Sequence, residues 1–113
     1  MFTGDWLDIG PIDQIPLRGS RTVPVAGGPE IAVFRTGDNE VFALVNRCPH
    51  KHGPLSEGIV HGASVTCPLH NWVFDLATGK AQGADEGQVR TYAIDVVDGR
   101  IFMAPDVMMV AAE

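Results

Sequence analysis

The sequence predicts a small all-β domain, a sandwich or barrel of short antiparallel strands. Three observations predict it. Apolar residues alternate with polar or small ones in short runs, turn residues separate those runs, and no apolar pattern of period 3.6 lasts long enough for a substantial helix. The 13 glycines and 8 prolines supply the many turns that such a chain needs.

Taken in order, the segment between Pro11 and Pro16 is predicted to hold one short helical turn, limited by a proline at each end. Residues 30–36 and 40–46 form a predicted hairpin around Gly37-Asp38-Asn39. Residues 90–97 set Tyr92, Ile94 and Val96 against polar or small partners and read as a strand. Asp98-Gly99 supplies a turn with positive φ into Arg100–Met103, a second hairpin. The late run from Val107 to Val110 reads as an extra strand or a docking patch, with ordinary packing the simpler account. Residues 1–113 are expected to make a single domain, since this length suits one modest core.

Composition excludes several classes of function. With 45% hydrophobic and 19% charged residues, the chain is ordinary for a globular protein. A net charge of −6 argues against nucleic acid as a partner, which would call for a basic stripe, and fits docking on a basic redox partner. No run approaches the roughly 20 apolar residues of a membrane-spanning helix. The start lacks the basic region and apolar stretch of a secretory signal, and the two cysteines do not suggest an oxidising compartment, so a cytoplasmic location is expected.

The chemistry is concentrated in the middle of the chain. Cys48-Pro49-His50 is followed, sixteen residues later, by Cys67-Pro68-Leu69-His70. Zinc fingers usually place a Cys pair at one end and a His pair at the other, whereas here each half mixes one thiolate with one imidazole. Two loops that each give a Cys to one iron and a His to the other can clamp a binuclear cluster. This matches the Rieske arrangement, in which Cys48, His50, Cys67 and His70 are the expected ligands of one [2Fe–2S] cluster. Two neutral imidazoles in place of two thiolates make the site less negative, so an electron is accepted more readily. Pro49 and Pro68 stiffen the loops, while Gly53, Gly58 and Gly62 permit tight turns and close backbone approach to the cluster. A Cys48–Cys67 disulfide would leave both histidines unexplained. Mononuclear zinc on the same four residues is chemically reasonable but does not account for the mixture as well.

Neighbouring residues have secondary parts. His52 is the rival ligand to His50, and otherwise a polar loop residue or a donor to a ligand. His61, followed by Gly62, is expected in a turn. Arg47 and Lys51 flank the first loop as solvated charges that could also guide an acidic partner. Trp72 and Phe74 are expected to pack beneath the cluster and exclude water.

These residues bear a family resemblance. Cys48-Pro49-His50-Lys51-His52-Gly53-Pro54-Leu55-Ser56-Glu57-Gly58 and Cys67-Pro68-Leu69-His70-Asn71-Trp72 resemble the Rieske ferredoxin-like proteins, along most of the chain. Within that family, these words together with Trp6-Leu7-Asp8-Ile9 and Val89-Arg90-Thr91-Tyr92 look like the small subunit of bacterial NAD(P)H-dependent nitrite reductases in their cluster-bearing form. The resemblance implies a Rieske-type β-fold whose cluster-binding subdomain is built from two loops, over about residues 46–76. It also implies a large catalytic partner subunit with FAD and sirohaem, reducing nitrite to ammonium, and an accessory electron-transfer role for this chain with no catalytic residues of its own.

High-potential members of the family carry a disulfide between the loops, and Ser and Tyr hydroxyls bonded to cluster and ligand sulfurs. This sequence has no spare cysteine, and Trp72 and Phe74 follow His70 where the hydroxyls would fall. Fewer donors leave the reduced state less stabilised, which implies a potential near the bottom of the Rieske range, about −150 mV. Two other functions compete with the nitrite reductase reading: a free-standing Rieske ferredoxin serving an aromatic-ring dioxygenase, and a metal-binding structural module.

Overall fold

In the computed structural model, residues 6–24, 30–47, 54–67, 72–81 and 87–103 are described. They form ten strands in three antiparallel sheets and two single turns of 3₁₀ helix, with no α-helix among the described residues. The strands are β1 (Leu7–Pro11), β2 (Gly19–Val23), β3 (Ile31–Arg35), β4 (Val41–Val45), β5 (Ile59–His61), β6 (Ser64–Thr66), β7 (Val73–Asp75), β8 (Thr91–Tyr92), β9 (Ile94–Val97) and β10 (Arg100–Met103). The sheet orders are β1-β10-β9, β2-β3-β4-β8 and β5-β6-β7. The all-β expectation holds.

The hairpin of β3 and β4 is the centre of the molecule because it is apolar on both faces. Its register pairs Ala32 with Leu44 and Phe34 with Phe42 on one face, and Val33 with Ala43 on the other. Ala32, Phe34 and Leu44 join Leu55, Val60, Val65, Cys67, Phe74, Leu76 and Val89 in one core, beneath the small sheet. Ile31, Val33, Val41 and Ala43 join Ile9, Ile12, Ile15, Ile101 and Met103 in a second core, against the sheet of β1, β9 and β10. A strand buried on both sides reads as a continuous apolar run, as residues 31–34 do.

The connecting turns follow local chemistry. Between β3 and β4 the buried Thr36 hydroxyl accepts hydrogen bonds from the backbone N–H groups of Asp38 (3.2 Å) and Glu40 (3.1 Å). Asn39 takes a left-handed conformation there, φ 67°. The turn from β9 to β10 places Asp98 at φ 52° and Gly99 at φ 78°, as Asp-Gly predicts. A 3₁₀ turn, Ile12–Gln14, lies between Pro11 and Pro16.

One element differs from its sequence pattern. The run 90–97 is two strands, β8 beside β4 and β9 beside β10, parted at Ala93. Tyr92 and Ile94 both pack on the second core although the chain changes sheets between them, whereas Val96, the third member of the alternation, is exposed. Pairing partners are set by tertiary packing and leave no mark on the alternation itself. The 107–110 run lies outside the described residues. No described helix is long and apolar enough to cross a membrane.

Candidate metal centre

The second 3₁₀ turn (Leu55–Glu57) and strands β5 and β6 lie, in sequence, between the two halves of the Cys/His pattern. Val60, Val65 and Phe74 point into the first core, and Val60 pairs with Val65, which pairs in turn with Phe74. The opposite face presents Ile59, Thr66 and Val73 in one row and His61, Ser64 and Asp75 in the next.

Cys67 follows β6 directly and is fully buried in the first core. Its backbone N–H donates to the Trp72 carbonyl at 2.6 Å, so the two ends of the 68–71 segment meet. Trp72 packs against the core half-buried, with its ring centroid 6.2 Å from that of the buried Phe74 and tilted by 40°. Phe74 shares its core with Cys67, and Trp72 packs against the same core.

Cys48, His50 and His70 lie outside the described residues, as do His52, Lys51, Gly53, Pro49 and Pro68. The segment bearing the first two candidate ligands is flanked by described residues that are held in place. Exposed Arg47 leads into it. The Ser56 backbone N–H donates to Asn46 Oδ1 (2.7 Å), while Asn46 Nδ2 donates to Ser56 Oγ (3.0 Å). The Ser56 carbonyl accepts a bond from Ser20 Oγ (2.8 Å), tying the same residue to β2. No sequence signal marked Asn46, which closes an apolar strand, and Ser56 stood out only as part of the resembling segment.

Gly58 sits against the end of β6. A Cβ on Gly58 would lie 2.2 Å from the Thr66 carbonyl oxygen, immediately before Cys67. The close approach expected of this glycine is therefore to the backbone of the second segment. His61 is on β5, one residue before a turn at Gly62 (φ 57°), and its Nε2 shares a 2.7 Å hydrogen bond with Thr66 Oγ1. That partner gives it a structural part beside the second segment.

A buried thiol at the base of one segment, next to the closed base of another that carries a second Cys and a His, suits the donor set of a mixed Cys/His iron–sulfur centre.

Comparison with known proteins gives the same assignment. Residues 5–93 match the family model of the Rieske [2Fe-2S] domain. The chain is 42% identical over 98 residues to the anthranilate 1,2-dioxygenase ferredoxin subunit of Burkholderia cepacia, covering 86% of this chain and 89% of that one. It is 31% identical over 103 residues to the ferredoxin component of the naphthalene 1,2-dioxygenase/salicylate 5-hydroxylase systems of a Ralstonia species, covering 90% and 97%. The solved structure of the ferredoxin of carbazole 1,9a-dioxygenase from Nocardioides aromaticivorans IC177 superimposes with a TM-score of 0.79 at 30% identity, covering 90% of this chain and 99% of that one.

These relatives correct one expectation. The assignment as an enzyme subunit of nitrite reductase is not supported, because the curated relatives just described are electron carriers of dioxygenase systems. A protein described as an NADH-dependent nitrite reductase small subunit, from Mycobacterium tuberculosis, shares the fold with a TM-score of 0.77 at 27% identity. The physical reason for the error is that the words around the ligands serve loop geometry. Prolines that stiffen and glycines that permit close approach are needed whichever partner takes the electron.

Proposed function

The chain belongs to the Rieske [2Fe–2S] domain family, and on that premise we propose that it is a free-standing ferredoxin delivering electrons to the oxygenase of an aromatic-ring dioxygenase system. The observation that carries this reading is the 42% identity to a dioxygenase ferredoxin subunit, matched over 89% of that relative's length. When bound, the [2Fe–2S] cluster takes up and gives back one electron at a time.

In this reading Cys48, His50, Cys67 and His70 would hold the cluster. Trp72 and Phe74 offer no hydroxyl to a cluster or ligand sulfur, which supports the expectation of a low potential, about −150 mV, as does the lack of spare cysteines for an inter-loop disulfide. Redox titration of the purified holoprotein checks this, and a clearly positive midpoint would refute it. The aromatic substrate is chosen by the oxygenase. The named relatives belong to systems for anthranilate and for naphthalene or salicylate.

The test is reconstitution. The holoprotein is combined with NADH, a ferredoxin reductase and the oxygenase of an anthranilate-type system, and hydroxylated product is measured. Product formation that depends on this chain supports the reading. If the reduced protein is not oxidised by the oxygenase any faster than by buffer alone, the carrier function is wrong.

A further inference from the structure

We propose that Asn46, Ser56 and Gly58 are positioning residues, forming a rigid bridge that sets the separation of the two ligand-bearing segments. The proposal rests on the reading that Cys48, His50, Cys67 and His70 hold the cluster, and adds to it a device that involves none of them.

The bridge can be followed atom by atom. Asn46 lies two residues before Cys48 and is bonded reciprocally to Ser56, ten residues on, by its side-chain oxygen and nitrogen. Its own backbone N–H donates to the Glu30 carbonyl (2.8 Å), which fixes it to the large sheet. Ser56 is held a third time by Ser20. Between Ser56 and Gly58 the chain is tied by backbone hydrogen bonds and by a buried side chain. Gly58 N–H donates to the Leu55 carbonyl (2.9 Å), Glu57 N–H to the Pro54 carbonyl (3.1 Å), and Leu55 is fully buried in the same core as Cys67. Gly58 then meets the Thr66 carbonyl, and Thr66 is bonded through its hydroxyl to His61. A continuous path of contacts thus joins a residue two before Cys48 to the residue just before Cys67 without passing through the cluster.

Such a path matters because metal ligands tolerate only about 0.5 Å of error. Four ligands split between two segments need those segments held at one separation before metal arrives, or ligand binding must itself order them. A purely local role, closing one loop, would leave the second segment unaffected when Asn46 is changed. A bridge alters the whole centre from either end.

The experiment follows cluster loss from the holoprotein under excess chelator, by visible absorption, together with the EPR spectrum of the reduced protein. Asn46→Ala removes two hydrogen bonds and Gly58→Ala drives a methyl group into the Thr66 carbonyl. Both are expected to bleach about tenfold faster than the parent and to shift the EPR g values. Asn46→Asp keeps the acceptor for Ser56 N–H and lets the Ser56 hydroxyl donate to its second oxygen, so it is expected to bleach within about threefold of the parent. The proposal is overturned if Asn46→Ala and Gly58→Ala bleach at the parent rate with unchanged EPR, or if Asn46→Asp is as fast as Asn46→Ala. Should Asn46→Ala fail to fold, Gly58→Ala and Asn46→Asp decide alone. A Cys67→Ser protein that keeps the parent spectrum would overturn the ligand reading instead, which separates the two failures.

Discussion

At the scale of single residues, the four proposed ligands should be indispensable and their neighbour dispensable. Cys48→Ser, His50→Ala, Cys67→Ser and His70→Ala are each expected to abolish or severely disturb the visible spectrum. His52→Ala should leave it intact, and a colourless His52→Ala protein would mean that the ligand assignment is wrong. Surface electrostatics give a second residue-level prediction. A hydrogen bond from Arg100 Nε (2.8 Å), assisted by one from the Gly10 backbone N–H (2.9 Å), holds the Asp8 carboxyl below its ordinary value of 3.8. Folding therefore favours the charged form. The contribution is present above pH 3.8 and is lost as the pH falls through the lowered folded value. Asp8→Asn should lower the melting temperature at neutral pH, with the difference closing on acidification. The pair is exposed, so added salt should shrink the difference as well.

Elements show which parts of the fold were legible. The β3–β4 and β9–β10 hairpins could be read because their turn chemistry is local, in Gly37-Asp38-Asn39 and Asp98-Gly99. Gly99 has φ 78°, a conformation that costs an L-residue about 1–2 kcal/mol, so Gly99→Ala should destabilise by about 1 kcal/mol in denaturant unfolding. The small sheet was not legible as strands. Each of β5, β6 and β7 spans only three residues, with a single inward side chain at Val60, Val65 or Phe74, too few for a period to emerge. Its existence depends on the first core, against which those three side chains pack.

On the scale of the whole molecule, the two cores meet at one hairpin. Phe34 is fully buried and links β3 to the small sheet through the first core. Phe34→Ala should cost about 3–5 kcal/mol, measured by denaturant unfolding. Because Cys67 shares that core, the same substitution should also speed cluster loss, whereas a change confined to the second core, such as Ile101→Val, should spare the cluster and cost about 0.5–1.5 kcal/mol.

The sequence by itself determined the all-β class, the central hairpin and the family, since alternation, turn residues and the spaced Cys/His words are local in the chain. It did not determine the electron's destination, because the same loop words suit any partner, and likeness to dioxygenase ferredoxins had to correct the reading. Tertiary structure alone decided that residues 90–97 divide between two sheets, that Gly58 abuts Thr66, and that Asn46 reaches Ser56. Those are contacts between residues whose own identities are unremarkable, and only the packing of one segment on another brings them together.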